Sequence, residues 1–376
     1  MKYDYLIVGA GFSGAVLAER IASVLGKRVL VIDKRNHIGG NCYDFSDENG
    51  ILIHKYGPHA FHTRMDHVRD YLSQFTEWTP YSHRVLAKIG EKRVPVPFNL
   101  DSIDIAFEKN KADDFKNALI GKYGMEVKVP ILNLRQSSEP ILRELADYVY
   151  KYIFEGYTVK QWGLRPEEID PSVTSRVPVF ISRDSRYFQD EFQAMPARGY
   201  AHLFENMLRH KNIELRLECP FEQVRSSEAF DRIIWTGPID QYFDCTYGAL
   251  PYRSLEFEIA TFDQEYFQET AQLNYPNDFD YTRTTEFKHF LGAKCPKTTI
   301  AYERAMQYVP GANEPYYPIQ TPETEELYAK YKLLAEREGE VYFTGRLAEY
   351  KYLNMDQVVS GALAKFDRLA NAGSGH

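Results

Sequence analysis

The chain of 376 residues carries only four cysteines, Cys42, Cys219, Cys245 and Cys295, with no CxxC pair and no metal-ligand spacing. This argues against a disulfide scaffold or a cysteine-built metal centre, and reduced thiols in a cytoplasmic protein are expected, with no metal. No apolar run approaches the roughly 20 residues of a membrane span. The N-terminal apolar stretch lacks the basic flank and cleavage site of a signal peptide and reads instead as a first strand. Positive charge is not in excess either. A formal net charge of −8 argues against a nucleic-acid partner. It also means that an anionic substrate needs its own local Arg or Lys cluster. There is no internal repeat.

What the chain has is an ordinary soluble balance, 44% hydrophobic and 26% charged, with 28 tyrosines and 23 phenylalanines. Most aromatics pack a core, and the tyrosines also suit a site that offers flat surfaces with hydroxyl tips. The first forty residues are the most informative. Tyr3-Asp4-Tyr5-Leu6-Ile7-Val8 runs into Gly9-Ala10-Gly11-Phe12-Ser13-Gly14, then a helical stretch from Ala15 to Val24 and a second strand, Arg28 to Ile32, ending on Asp33. This is a dinucleotide-binding βαβ unit. Gly9 permits the tight turn, Gly11 lets backbone approach a pyrophosphate, Gly14 lets the helix pack closely, and Asp33 is spaced to accept a ribose hydroxyl. The helix N-terminus, which includes Phe12 and Ser13, offers free N–H groups to phosphate.

The next residues, Lys34-Arg35-Asn36-His37-Ile38-Gly39-Gly40-Asn41, add a basic step and a second glycine turn. Flavoproteins of the glutathione-reductase and amine-oxidase type use such a turn against the FAD phosphates, so FAD is the expected cofactor. Further along, Val94-Pro95-Val96-Pro97-Phe98 reads as a Pro-broken connector between domains. Asn99 to about Lys160 reads as helical, with Ile141, Leu145, Val149 and Ile153 in phase, Ser137 or Ser138 as N-cap and Pro140 in the first turn. Arg232 to Pro238 reads as a strand that rejoins the cofactor sheet, and strands dominate from Tyr252 to Tyr302. Val341 to Arg346 is expected to be a last strand, followed by a helix from Asp356 to Leu369. Strand, glycine and helix N-terminus in that order imply a second cofactor contact near the C-terminal end.

Together the motifs resemble the UDP-galactopyranose mutase family. The resemblance rests on the Asp33–Asn41 segment and on Tyr56-Gly57-Pro58-His59-Ala60-Phe61-His62-Thr63. It continues through Gly156-Tyr157-Thr158-Val159-Lys160-Gln161-Trp162-Gly163, Arg176-Val177-Pro178-Val179 and Tyr281-Thr282-Arg283. Pro315-Tyr316-Tyr317-Pro318 and Gly345-Arg346-Leu347-Ala348-Glu349-Tyr350-Lys351-Tyr352 complete it. It implies a Rossmann-like α/β FAD-binding domain in three pieces (1–80, 197–245 and 340–370), with an inserted helical domain (98–170). An antiparallel sheet domain for the substrate (81–97, 171–196 and 246–339) carries a mobile loop near 171–183. It implies interconversion of UDP-galactopyranose and UDP-galactofuranose, in which N5 of reduced FAD attacks the anomeric carbon and displaces UDP. A homodimer is implied, with an external reductant such as NAD(P)H or a reductase.

Residue by residue, the resemblance assigns Arg176 and Arg283 to the diphosphate, which a guanidinium pairs bidentately. It assigns Tyr187, Tyr317 and Tyr352 as phenol donors to the same group, with Tyr317 preferred over Tyr316. Tyr157 and Trp162 flank the uracil and sugar, Asn274 is a polar contact, and Arg253 stands near sugar or flavin. His59 lies against the flavin near N5, and Arg346 steadies the anionic reduced ring. Cofactor contacts are Gly9, Gly11, Phe12, Ser13, Gly14, Asp33, Lys34, Arg35, Gly40, Asn41, His59, Arg346 and Met355. His62 and His54 read as structural. Two departures touch the substrate side: Asn354 stands where the family has an acid, and the Asn274–Arg283 segment is one residue short. They leave the exact sugar open, including UDP-N-acetylgalactosamine or dTDP-fucose. An amine-oxidase-type flavoenzyme and a silent flavin-binding protein are the rival classes.

Overall fold

The computed structural model describes residues 2–168 and 178–373. β1 (Lys2–Val8) leads through Gly11 into α1 (Phe12–Val24) and back into β2 (Val29–Ile32). β2 and the Tyr5–Val8 part of β1 are apolar on both faces because both faces are covered, as parallel sheets require. Ile7, Val29 and Val31 face α1 and the terminal helix Met355–Gly373, while Leu6, Leu30 and Ile32 pack with Phe221 and Trp235 on the other side. The sheet has five parallel strands in the order Ile213–Arg216, β2, β1, Ala229–Trp235, Val341–Phe343. The expected return of the chain through Arg232–Trp235 and again after Val341 is therefore realised, and β1 lies at the centre.

A second sheet of seven strands runs in the order Tyr317–Pro318, Tyr252–Phe262, Thr298–Gln307, Arg283–Glu286, Gln272–Asn274, Val85–Ile89, Lys92–Val96. It is antiparallel except for one parallel join, Gln272–Asn274 with Val85–Ala87. The stretch expected as a Pro-broken connector is in fact the last strand of this sheet, with Pro95 paired to Leu86. Its edge position accounts for the tolerance, since an outward-facing proline costs no ladder hydrogen bond. Phe192–Pro196 pairs with Phe61–Thr63 and Trp78–Pro80 in a small third sheet beside the cofactor domain.

Between Leu100 and Trp162 the chain is mainly helical around its own core, which includes Phe115, Leu119, Leu145 and Val149. The helix at Pro140 has Glu139, not Ser137 or Ser138, as its N-cap. Ser137 is spent one step earlier, where its Oγ accepts the Glu139 N–H at 3.2 Å and a bond from Lys122 at 2.7 Å. The same helix passes through a π-helical stretch, Tyr150–Glu155, before resuming as Gly156–Trp162. Such bulges shift the residues that follow onto a new face. Gly156 then lies against the second sheet, where a Cβ would stand 2.2 Å from the Pro276 carbonyl. Lys160 Nζ clamps the same loop by donating to the carbonyls of Tyr275 at 2.7 Å and Asp278 at 2.6 Å. No helix among the described residues is long and apolar enough to cross a membrane.

Candidate active site

A cleft of about 1360 Å³, mouth included, opens along the C-terminal edge of the parallel sheet. Its wall collects the residues that follow the strands: Gly9 after β1, Asp33 after β2, Thr236 after Ala229–Trp235 and Gly345 after Val341–Phe343. This is the topological switch point, because β1 has β2 on one side and Ala229–Trp235 on the other. Gly9 has φ +109°, and a Cβ there would meet Thr236 Oγ1 at 2.0 Å. Gly14 stays outside the cleft and lets α1 sit on the turn, its hypothetical Cβ only 1.9 Å from the Gly9 carbonyl oxygen. Gly11 faces Gly40 across bare backbone, with 3.6 Å between a would-be Cβ and the Gly40 Cα. No side chain caps the start of α1 and no acid stands in its first turn, so its N–H groups remain open to an anion. A dinucleotide pyrophosphate fits this cradle.

Phe12, Ser13, Lys34, Arg35, Asn41, His59, Arg346 and Met355 also line the cleft, where the sequence expects them. Asp33 accepts the N–H of Ala10 on Oδ2 and that of Arg35 on Oδ1, both at 2.9 Å. Each oxygen keeps a lone pair for a ribose hydroxyl. A loop from the second sheet crosses here: Glu314 pairs with Arg35 at 2.9 Å and with Lys34 at 3.3 Å, and lines the cleft beside Pro315. Sequence reasoning missed Glu314 and Thr236, which reach the cleft only through tertiary pairing.

A second cleft opens from the first, and Asn41, His59, Arg346 and Met355 line both. Its own walls include Arg283, Tyr187, Tyr317 and Tyr352, and also His62, His83 and Gln272. Tyr317 and Tyr352 stack at 5.2 Å between centroids, and Trp162 leans on them at 5.8 and 6.3 Å. Arg346 lies 5.0 Å from the Tyr352 ring centroid and donates to the Leu353 carbonyl, Nε at 3.2 Å. Among the described residues no carboxylate is in ion-pair distance of it.

Arg283 is held from the neighbouring strand, its Nε and NH2 both reaching Glu303 Oε2 at 2.8 and 2.7 Å. Burial opposes its charge and the Glu303 carboxylate more than offsets that, so Arg283 stays cationic. Glu303 Oε1 is buried without a hydrogen-bond partner. Burial also pushes the phenols of Tyr157 and Tyr317 up, so both remain donors beside that cation. His59 is pushed down to about 4 by burial, with Arg346 and Arg283 adding to the effect. Its Nδ1 sits 2.8 Å from the Gly57 carbonyl. The ring is therefore neutral with the proton on Nδ1, which leaves Nε2 as an acceptor.

Two expected site residues stand differently. Arg253 donates to the carbonyls of Gln161 at 2.9 Å and Lys160 at 3.3 Å. Its guanidinium thus closes the C-terminal end of the Tyr157 helix and borders neither cleft. Asn274 is buried beside Arg283 in the ladder, its Oδ1 taken by Gln272 Nε2 at 2.9 Å, and it is Gln272 that borders the cleft. Arg176 lies outside the described residues. His62, read as structural, instead borders the second cleft.

A family model described as UDP-galactopyranose mutase matches residues 152–352, and one described as an NAD(P)-binding Rossmann-like domain matches residues 7–75. The chain is 37% identical to "Probable UDP-galactopyranose mutase" of Klebsiella pneumoniae, over 98% of this chain and 95% of that one. It is 36% identical to dTDP-fucopyranose mutase of Escherichia coli, over 95% and 96%. With UDP-galactopyranose mutase of Mycoplasma pneumoniae it shares 33% identity over 98% and 96%. Among solved structures, a reduced UDP-galactopyranose mutase superposes with TM-score 0.70 at 14% identity, over 99% of this chain and 96% of that one. Wild-type putrescine oxidase bound to putrescine superposes with TM-score 0.58 at 11% identity over 99% of both. At such identities these two likenesses concern the fold alone. The clefts, the motifs and the near-complete length of the sequence matches converge: this chain belongs to the UDP-galactopyranose mutase family.

Proposed function

We propose that this protein interconverts UDP-galactopyranose and UDP-galactofuranose, with FAD in the first cleft and the nucleotide sugar in the second. The observation that carries this reading is Arg283, a buried cation fixed by Glu303 among tyrosine hydroxyls, in a cleft that opens into the cofactor cradle. A nucleoside diphosphate that must leave and return needs such a seat, because the charge on the departing group grows in the transition state. Arg283 holds that diphosphate, joined by Arg176, and the phenols of Tyr187, Tyr317 and Tyr352 orient it without adding charge. Tyr157 and Trp162 close the cleft on the uridine side.

Bound and reduced, FAD supplies a nucleophilic nitrogen, N5, for the anomeric carbon, with no net oxidation of the sugar. Arg346 places a cation where the ring carries its negative charge. His59 holds its proton on Nδ1 and offers Nε2 as an acceptor. The protein acts as a cytoplasmic homodimer, and a reductant such as NAD(P)H or a reductase keeps the cofactor reduced. dTDP-fucose is the second reading, supported by the 36% identity to a dTDP-fucopyranose mutase and by Asn354 in place of an acid at the mouth of the second cleft. A cation-lined cleft is a poor host for a protonated amine, which weighs against an oxidase. The test is to incubate dithionite-reduced protein separately with UDP-galactofuranose and dTDP-fucofuranose and follow the pyranose products by chromatography. Conversion of the first is expected. Conversion of neither, with FAD bound, overturns the reading.

A further inference from the structure

His62 stands on the short strand Phe61–Thr63 and borders the second cleft. Its Nδ1 lies 2.7 Å from Asp190 Oδ2. An ionised carboxylate only accepts, so Nδ1 carries the proton. Phe188 stacks on the ring at 3.6 Å between centroids and 15° between planes. The hydrogen bond from His62 is the main reason the Asp190 carboxyl lies below its usual range, and Arg64, 2.9 Å from Oδ1, adds to it. The imidazole is thus fixed in tautomer by Asp190 and in plane by Phe188. Among the described residues no protein group takes its Nε2. His83 faces it from the segment just before Val85–Ile89, held neutral by burial and pushed down to about 4, and Arg283, Tyr187 and Tyr317 share the cleft. Lys128 lies beyond Asp190 and Arg64.

We propose that His62, oriented by Asp190, is the acid–base residue that exchanges a proton with the hydroxyl oxygens of the bound sugar. This rests on the mutase reading above, and names a residue for a step that reading leaves without one. Conversion of a pyranose into a furanose frees one sugar oxygen from the ring and closes the ring on its neighbour. The freed oxygen gains a proton and the closing oxygen loses one. The imidazolium gives its Nε2 proton to the oxygen leaving the ring. The neutral ring then takes one back from the oxygen that closes, so protons balance over the cycle and no electrons pass through His62. Asp190 steadies the imidazolium through Nδ1 and keeps Nε2 turned to the cleft, an arrangement of base and orienting carboxylate that acid–base catalysis reuses widely.

The experiment compares wild type with His62→Asn and Asp190→Asn, all FAD-loaded and dithionite-reduced. In His62→Asn the side-chain amide keeps an N–H for Asp190 but has no titrating nitrogen. Readouts are kcat against pH, KM, UDP affinity by calorimetry, FAD content, and the His62 titration by imidazole NMR in wild type. The expected result is a fall in kcat of about 100-fold for His62→Asn, with UDP affinity and FAD content within twofold. The wild-type pH limb that tracks the His62 titration disappears. Asp190→Asn lowers kcat with KM nearly unchanged. A kcat within fivefold of wild type, or a limb that persists in His62→Asn, overturns the dyad while wild-type turnover leaves the mutase reading intact. Absence of wild-type turnover on any nucleotide sugar removes both.

Discussion

Three buried histidines make the stability of this protein sensitive to mild acid. Burial pushes His54 down to about 3, and His59 and His83 to about 4, against about 6.5 in an unfolded chain. The folded values are depressed, so the unfolded chain binds more protons between pH 6.5 and 4. Stability is full above 6.5 and is lost as pH falls. Lowering the pH from 7.5 to 5.5 costs about 1.3 kcal/mol per histidine, or about 4 kcal/mol for the three. Buried carboxyls oppose this: burial raises Asp240 and Glu303, and it pushes Asp44 up to about 6, although Asp44 accepts the N–H groups of Tyr200 at 2.6 Å and Ala201 at 2.8 Å. Its folded value is raised, so it returns about 1 kcal/mol over the same interval. For these three histidines and Asp44 together the loss is about 3 kcal/mol, a large share of the 5–15 kcal/mol typical of a folded chain. The cleanest measurement isolates His54, whose Nδ1 accepts the His59 N–H at 3.0 Å and whose Nε2 is buried without a partner. His54→Asn keeps an acceptor and removes the titration. Urea unfolding of both proteins at pH 7.5 and 5.5, with saturating FAD, should show the variant losing about 1.3 kcal/mol less than wild type. Equal losses would refute the assignment of His54 as a buried neutral base.

Other perturbations address the two clefts. Arg283→Ala should retain FAD, weaken UDP binding about 30-fold or more by calorimetry and nearly abolish turnover, since a charged hydrogen-bonded pair at a binding site contributes about 2–5 kcal/mol. Full activity would show that the diphosphate sits elsewhere. Gly9→Ala forces a Cβ into a site with φ +109° and 2.0 Å from Thr236 Oγ1. The purified protein should lack the flavin band near 450 nm while keeping its far-ultraviolet dichroism. Lys160→Met removes two ammonium bonds to the 275–278 loop and should raise the UDP dissociation constant about threefold to tenfold through looser seating of Tyr157, with FAD content unchanged.

The cofactor half of the molecule was legible because its signals are local. A run of apolar residues, a glycine turn and an acid at the end of β2 lie within thirty-three residues of one another, and each follows from backbone sterics and helix-end electrostatics. The substrate half was legible mainly through longer motifs, and the residues that escaped share one property. His62 gains its partners at the second cleft only because Asp190 and Phe188 come to it from the segment leading into the distant strand Phe192–Pro196. Thr236 borders the first cleft only because Ala229–Trp235 pairs with β1. Arg253 looks like a ligand-binding arginine in sequence, yet the carbonyls at the end of the Tyr157 helix take up its donors. The π-helical stretch at Tyr150–Glu155 is hidden for a different reason. A single widened turn barely disturbs the spacing of apolar residues, yet it turns everything after it.

The central position of β1 has a consequence for how the protein is made. During synthesis β1 gains β2 as a neighbour after about thirty residues, but its other edge waits for Ala229–Trp235, and that strand in turn waits for Val341–Phe343. Pairings of such long range are slow, and open strand edges invite wrong partners in the interval. The phosphate-binding turn is thus synthesised more than three hundred residues before it is finished, when Gly345 arrives against Ser13. A nascent chain can have the glycines of the cradle long before it has the cradle, so cofactor capture waits for the Val341–Phe343 strand and the turn after it.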